Sequence, residues 1–344
     1  MSADQHNKSA YQHNKTMAAT LALVKRQNQQ LQSKTELLQL LDKLAALPQP
    51  LAYRHLPLWL LSAGLIAAAL ACIWLYHYLV ELSWLPAIGW GLLGLSLLPL
   101  ILIGWRHASF KKLGRELYWQ NALLDNQLQL LPPSRWPDNR SWQQQFAEFD
   151  RGNHKREFKQ IIAGNYAGAE HQFDYHYWHF HYVDRRTVTS TNSKGQVRTR
   201  TQYTHYDRYG LMLPFRYAQN LFICAFAPAG FSGEKYQSDS GRFNKLFKVR
   251  AKAQMQAARF LKPAVVVALE DLAGQLRQLN LEFSADGVLC VSFADADVID
   301  AKPPCGLEQL SRFRQSIEQT TALPKLQQTL ASIHQLMRHS DSNF

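Results

Sequence analysis

Two uncharged apolar runs, 57–80 and 84–105, separated only by Glu81-Leu82-Ser83, constrain this 344-residue chain more than any other feature. The first holds 24 residues and the second 22, with no Asp, Glu, Lys or Arg in either. At about 1.5 Å rise per residue, each is long enough to cross a hydrocarbon core of about 30 Å. The runs predict a membrane hairpin rather than two buried core helices. Gly89, Gly91, Gly94 and Gly104, with Ala87 and Ser96, are small enough for two membrane helices to approach closely. Pro99 is tolerated in such a helix. Neither run starts at the N-terminus, so neither reads as a cleaved signal.

Orientation follows from the basic residues, which collect on the cytoplasmic side. Lys25, Arg26, Lys34, Lys43 and Arg54 precede the first run and Arg106, Lys111, Lys112 and Arg115 follow the second. Between the runs there is neither Lys nor Arg. Both termini are therefore expected in the cytoplasm, with Trp59, Trp74, Trp84, Trp105, Tyr76 and Tyr78 as interfacial aromatics. His77 and Glu81, the ionisable groups in or beside the spans, fall at the outer end and are expected to touch water.

Outside the hairpin the chain predicts an α+β protein. Residues 1–16 are polar, without apolar period, and read as a disordered tail. Leu21, Val24, Leu31, Leu38, Leu41, Leu44 and Leu47 recur at helical spacing over 17–47. Phe110, Leu113, Leu117, Leu124, Leu128 and Leu131 do the same over 106–131. These narrow stripes predict coiled-coil helices that either pair as an antiparallel cytoplasmic stalk or each lie on the bilayer or pair with another subunit. Residues 132–157, rich in proline and polar groups, read as a linker with a short helix.

A cytoplasmic α+β domain is expected over 158–302, beginning with an antiparallel meander whose hairpin tip is Asn192-Ser193-Lys194-Gly195. A strand over 246–251, helices over 254–260 and 263–279 and a hairpin over 281–293 around Asp286-Gly287 follow. Two amphipathic helices close the chain, a C-terminal helical pair over 306–338.

The order of pieces resembles the bacterial membrane proteins grouped as the domain-of-unknown-function 3137 family. Gly164-Asn165-Tyr166-Ala167-Gly168, Phe173-Asp174-Tyr175 and the block 243–249 carry the likeness, completed by the apolar helix 261–272 and the hairpin 287–291. In place of the acidic turn common in that family stands Arg250-Ala251-Lys252-Ala253. The resemblance implies a membrane hairpin preceding a cytoplasmic α+β domain in a bacterial inner membrane. It brings no catalytic residues with it.

Two clusters are candidates for function. On a strand, His179 and His181 share a face about 6.5 Å apart, a spacing that suits two ligands of one metal. His176 and Asp174 complete the candidate set, with Asp184, Asp207 and His205 nearby. Their alternation with Tyr175, Tyr177, Phe180 and Tyr182 equally describes an ordinary half-exposed sheet. Arg185, Arg186, Lys194, Arg198, Arg200 and Arg208 surround the hairpin tip, where they describe an ordinary solvated face or, next, a contact for anionic headgroups. Nucleic acid ranks behind lipid because the aromatics follow strand alternation rather than a stacking motif.

With 47% apolar and 19% charged residues, 38 Lys and Arg against 26 Asp and Glu, the composition excludes a disordered chain. The four cysteines, Cys72, Cys224, Cys290 and Cys305, form no CxxC pair, so neither a disulfide framework nor a zinc site is indicated. No P-loop, G-x-S-x-G or H-E-x-x-H is present, and no cofactor is expected. Glu270 and Asp271 read as a solvated helix edge, and Asp295, Asp297 and Asp300 as a loop. The expected function is that of a non-enzymatic interaction module for a protein partner or the membrane surface. The alternatives are a membrane-tethered enzyme using the histidine-rich sheet and a subunit of an oligomeric membrane complex.

Overall fold

A computed structural model describes residues 3–28, 31–47, 51–76, 78, 82–136, 139–191, 197–228 and 231–341. In chain order the helices are α1 (Ala3–Asn28), α2 (Lys34–Ala45), α3 (Leu56–Tyr76), α4 (Leu85–Leu95), α5 (Leu97–Asp125), α6 (Asn139–Gln145), α7 (Gly241–Leu246), α8 (Gln254–Phe260), α9 (Pro263–Gln275), α10 (Leu310–Glu318) and α11 (Pro324–Asp341). The strands are β1 (Gln129–Leu130), β2 (Lys155–Ala167), β3 (Gln172–Thr191), β4 (Val197–Pro214), β5 (Leu221–Cys224), β6 (Glu234–Tyr236), β7 (Lys248–Ala251), β8 (Asn280–Phe283) and β9 (Val288–Phe293). The chain divides into a helical unit, 1–125 with 301–321, and a sheet unit, 126–300 with 322–344.

In the helical unit, α3 and the helical stretch 85–125 are each long and apolar enough to cross a membrane. The second stretch breaks at Ser96, where α4 ends and α5 begins. Pro99 explains the break: it has no N–H to offer the carbonyl of Leu95, and its ring crowds that turn. Ser62 Oγ donates to the Ser96 carbonyl at 3.0 Å, satisfying a backbone group at the break. Of the small residues singled out above, Gly89 does the close packing, since a Cβ there would fall 2.8 Å from Ile73 Cγ1. Nothing lies within 4 Å of a Cβ placed at Gly91, Gly94 or Gly104.

The predicted stalk is instead a cluster of four helices. Val24, Leu37, Leu41 and Leu44 share one core with Phe110, Leu113 and Leu117 of α5 and with Leu310, Phe313 and Ile317 of α10. A two-helix coiled coil is replaced because α10 supplies a third apolar face. The helix expected over 17–47 is two helices. Ser33 Oγ accepts from Glu36 N at 3.2 Å while Glu36 Oε2 accepts from Gln32 N at 2.9 Å, a capping arrangement that starts α2 afresh. The tail expected to be disordered is helical from Ala3. Asn14 bonds both N–H and carbonyl of Arg54 at 2.8 and 2.9 Å, and Ala10 is buried.

The sheet unit is built on nine antiparallel strands in the order β1-β2-β3-β4-β9-β8-β5-β7-β6. The fold is α+β, as expected, and β2, β3 and β4 form the meander. The segment expected to be a linker belongs to this unit. Trp142, Phe146 and Phe149 pack on Trp178, Phe180 and Tyr182 of one sheet face, Phe149 lying 4.9 Å from Trp178 and 5.4 Å from Phe180. Trp178 lies opposite Gly210. A Cβ at Gly210 would fall 2.3 Å from its indole and 2.1 Å from the Val291 carbonyl, so only glycine fits.

On the other face Phe260 of α8 packs against Phe283 at 5.0 Å and Phe215 at 6.0 Å. The predicted C-terminal helical pair is divided between the units, α10 packing on α2 in one and α11 on α9 in the other. A short chain segment at Thr321–Ala322 marks the division.

Candidate functional site

β3 and β4 are longer than the strands beside them. β2 stops pairing β3 at Val183, and β9 stops pairing β4 at Tyr209. Eight further pairs, from Asp184 with Thr204 to Thr191 with Val197, continue as a two-stranded arm. At about 3.3 Å per residue this is roughly 25 Å of ribbon. Thr, Val, Tyr and Arg dominate it, residue types that suit an extended backbone.

The root of the arm is fixed by a side chain. Asn153 Oδ1 accepts from Arg185 N at 2.7 Å and its Nδ2 donates to the Arg185 carbonyl at 3.1 Å. One amide side chain thus extends the β2 ladder by a residue. His154 lies 5.0 Å from the Tyr203 ring, and Tyr182 stacks on Tyr206 at 5.0 Å.

Register sorts the arm's charges. Residues directly opposite in an antiparallel pair share a face, as do residues two apart on one strand. Arg186 opposite Gln202, Val188 opposite Arg200 and Ser190 opposite Arg198 therefore make one face with three arginines. Arg185, Tyr203 and the threonines 187, 189, 199 and 201 make the other. All four arginines are exposed, and among the described residues none of them forms an ion pair with an acidic side chain. Lys194 and the expected tip lie outside the described residues, as do His77 and Glu81.

Below the arm, the histidine set divides between the two sheet faces. His179 and His181 are brought together: His179 Nε2 lies 2.8 Å and His181 Nδ1 2.9 Å from Asp207 Oδ1. His181 Nε2 lies 3.2 Å from His205 Nδ1, and Tyr209 stacks on His179 at 4.5 Å. Neutral rings satisfy the whole chain if His205 donates to His181 and both His179 and His181 donate to Asp207. Burial pushes Asp207 up, but the two histidine bonds outweigh it and hold its carboxyl below the usual range.

His176 and Asp174 fall on the opposite face, His176 facing Met212 and Asp174 accepting from Asn165 Nδ2 at 2.7 Å. Alternation along β3 separates even from odd positions, so the four expected ligands do not converge. Among the described residues no group of three or more His, Cys, Asp or Glu is arranged to hold a metal ion. A groove of about 630 Å³ is lined by Asn165, His171, Asp174, Arg216 and Tyr217, leaving His179 and His181 outside it.

Beneath the opposite face, the one that carries Trp178 and Phe180, lies an ionic network that the sequence did not reveal. Arg208, expected near the hairpin tip, is buried. Its Nε donates to Glu148 Oε1 at 2.6 Å and its Nη2 to the Gln278 carbonyl and Ser292 Oγ at 3.0 and 3.2 Å. Arg151 Nε also donates to Glu148 Oε1, at 2.7 Å, and Asn280 Nδ2 donates to Oε2 at 2.9 Å. Burial pushes the Glu148 carboxyl up, but Arg208 and Arg151 overcome this and hold it at about 2.

Glu282, accepting from Ala147 N and Glu148 N at 2.8 and 3.0 Å, is pushed by burial and then by the Glu148 charge to about 8. Cys224 and Cys290 flank this network, and burial raises both thiols well above the ordinary range. With every charged group turned inward and paired, the network reads as a structural core and not a reaction centre.

Other expected sites resolve into structural contacts. Glu270 is buried rather than solvated, accepting from Ser240 Oγ at 2.7 Å, and Ser240 in turn caps α7. Asp295 accepts from Arg277 N at 2.7 Å and, with Asp297, pairs with Lys325. No family model, curated protein or solved structure matches the chain.

Proposed function

We propose that the chain is a membrane-anchored docking module without chemistry of its own, and that the β3–β4 arm is its contact element. The arm carries this reading. It is a ribbon with both faces exposed and four arginines that, among the described residues, form no ion pair with an acidic side chain, while the buried charges nearby are tightly matched. A catalytic site would instead need its titratable groups gathered in a concave pocket. Support for the anchor comes from α3 and the stretch 85–125, whose large apolar side chains face outward, among them Trp59, Leu70, Trp74, Trp90, Ile101 and Trp105. In this reading both flanks of the hairpin lie in the cytoplasm of a bacterial cell, as in the family whose motifs the chain resembles.

The test is photo-crosslinking in living cells with a photoreactive amino acid at Thr189 or Gln202 on the arm, and at Asp286 on a turn as the control. Adducts to lipid or protein that form at the arm positions and not at Asp286 are the expected outcome. An arm without adducts, or labelling equal at all three positions, overturns the assignment.

A further inference from the structure

The two faces of the arm are chemically unlike. One holds Arg186, Arg198 and Arg200 around Val188, with Ser190 and Gln202 between them, Asp184 and Thr204 at the root and no aromatic ring. The positions repeat every two residues, so the guanidinium roots step along the ribbon at about 6.6 Å, Arg186 from β3 and Arg200 and Arg198 from β4. The opposite face holds one arginine, Arg185, beside Tyr203 and a run of threonines. Val188 is 46% exposed in the middle of the basic face.

We infer that the Arg186–Arg198–Arg200 face binds the anionic headgroups of a phospholipid bilayer. This rests on the docking reading above and names the partner surface. Three considerations select lipid. Three arginines against the single Asp184 at the root leave the face net basic, none of the three forms an ion pair among the described residues, and they are spread along a ribbon, which suits a planar anionic surface better than a pocketed ligand. The apolar group among them, Val188, fits the boundary between headgroups and acyl chains. The same chain carries two helices of membrane-spanning length, so an anionic bilayer is a surface it would meet at high local concentration. Single-stranded nucleic acid would call for aromatic platforms between the basic groups, and on this face there are none.

The experiment holds the full-length chain in phosphatidylcholine nanodiscs, with Cys72 and Cys305 changed to Ser and an environment-sensitive fluorophore on Val188→Cys. Phosphatidylcholine vesicles with and without phosphatidylglycerol are then added. The expected result is a blue shift with the anionic vesicles alone, which disappears in salt near 1 M, where screening acts over about 3 Å. Arg186→Gln, Arg198→Gln and Arg200→Gln each weaken the apparent affinity about fivefold, and the triple variant about 100-fold. Arg185→Gln, on the other face, leaves it unchanged.

Equal response to both vesicle types overturns the inference, as does an Arg185→Gln effect as large as the others. A response to single-stranded RNA and not to vesicles assigns the face to nucleic acid and overturns it too. The docking reading fails separately, through the absence of any arm adduct in cells. Arm adducts to protein alone would sustain that reading and sink the lipid assignment.

Discussion

Glu148 and Glu282 sit side by side under one sheet face, yet their protons respond in opposite directions. Glu282 is raised from an ordinary value of 4.5 to about 8, so between those values the folded chain holds a proton that the unfolded chain has lost. Its contribution to stability falls as pH rises through that window, with a slope of up to about 1.4 kcal/mol per pH unit. Glu148 is lowered from 4.5 to about 2, and its contribution, present above 4.5, is lost as pH falls toward 2. Thermal unfolding of the full chain in detergent is therefore expected to show a midpoint that drops between about pH 5 and 8, and Glu282→Gln is expected to flatten that drop. An unchanged slope in the variant would remove Glu282 as its source. Arg208→Met, which strips Glu148 of one buried partner, should cost about 3–5 kcal/mol, read from denaturant unfolding; a cost under about 1 kcal/mol would contradict the network. None of this was legible in the sequence. Glu148 lay in an apparent linker, and Arg208 looked like one more base beside a hairpin. The available signal was Trp142, Phe146 and Phe149 at helical intervals, which mark a buried segment among prolines.

Among the elements, the sheet's first half was legible because alternation of aromatic and polar residues survives along β2 and β3. Its register was not. Every β3–β4 pair sums to 388, so the ladder is centred on Lys194, half a residue from the centre of the expected tip, Asn192 to Gly195. That half-residue moves each partner by one. Centred on the expected tip, His181 would face Tyr206 instead of Asp207, and Asp207 would leave the histidine face. Predicting which residues share a face therefore needed a turn geometry that composition does not determine. Helix boundaries show the same limit: the apolar period ran through 31–33, where the Ser33 and Glu36 capping bonds restart the helix. The arm's root gives an element-scale prediction. Two hydrogen bonds from Asn153 hold Arg185 in register beyond the end of β2, and each contributes about 0.5–1.5 kcal/mol. Asn153→Ala should raise amide exchange at Arg185 by about tenfold or more, while the β4–β9 ladder keeps its protection. Unaltered exchange at Arg185 would show that the arm is held by its own cross-strand pairs.

For the molecule as a whole, the core of the helical unit bears on membrane topology. Val24, Leu37, Leu41 and Leu44 precede α3 in the chain, and Phe110, Leu113 and Leu117 follow the most apolar part of α5, yet all belong to one buried cluster. If α3 and the stretch 85–125 cross a bilayer, these flanks can share an aqueous core only from the same side, which requires an even number of crossings. The charge argument points the same way, since the basic residues lie on both flanks and none lies between the runs. α10 reinforces the arrangement from much later in the sequence: Phe313 is fully buried in the cluster, and Lys34 pairs with Asp125 at 2.8 Å. Two linked outcomes follow. Phe313→Ala should destabilise the helical cluster by about 3–5 kcal/mol, measured as loss of protease resistance around α2 in the detergent-purified chain. Single cysteines at Thr20 and Ser311, in a chain whose own cysteines are replaced, should react with a membrane-impermeant maleimide in inverted inner-membrane vesicles and be spared in intact spheroplasts. A cysteine at Ser83, between the spans, should show the reverse pattern. Thr20 and Ser311 reacting from opposite sides would be incompatible with a shared core and would undo the hairpin reading, whereas reaction of all three from one side would mean that neither helix spans.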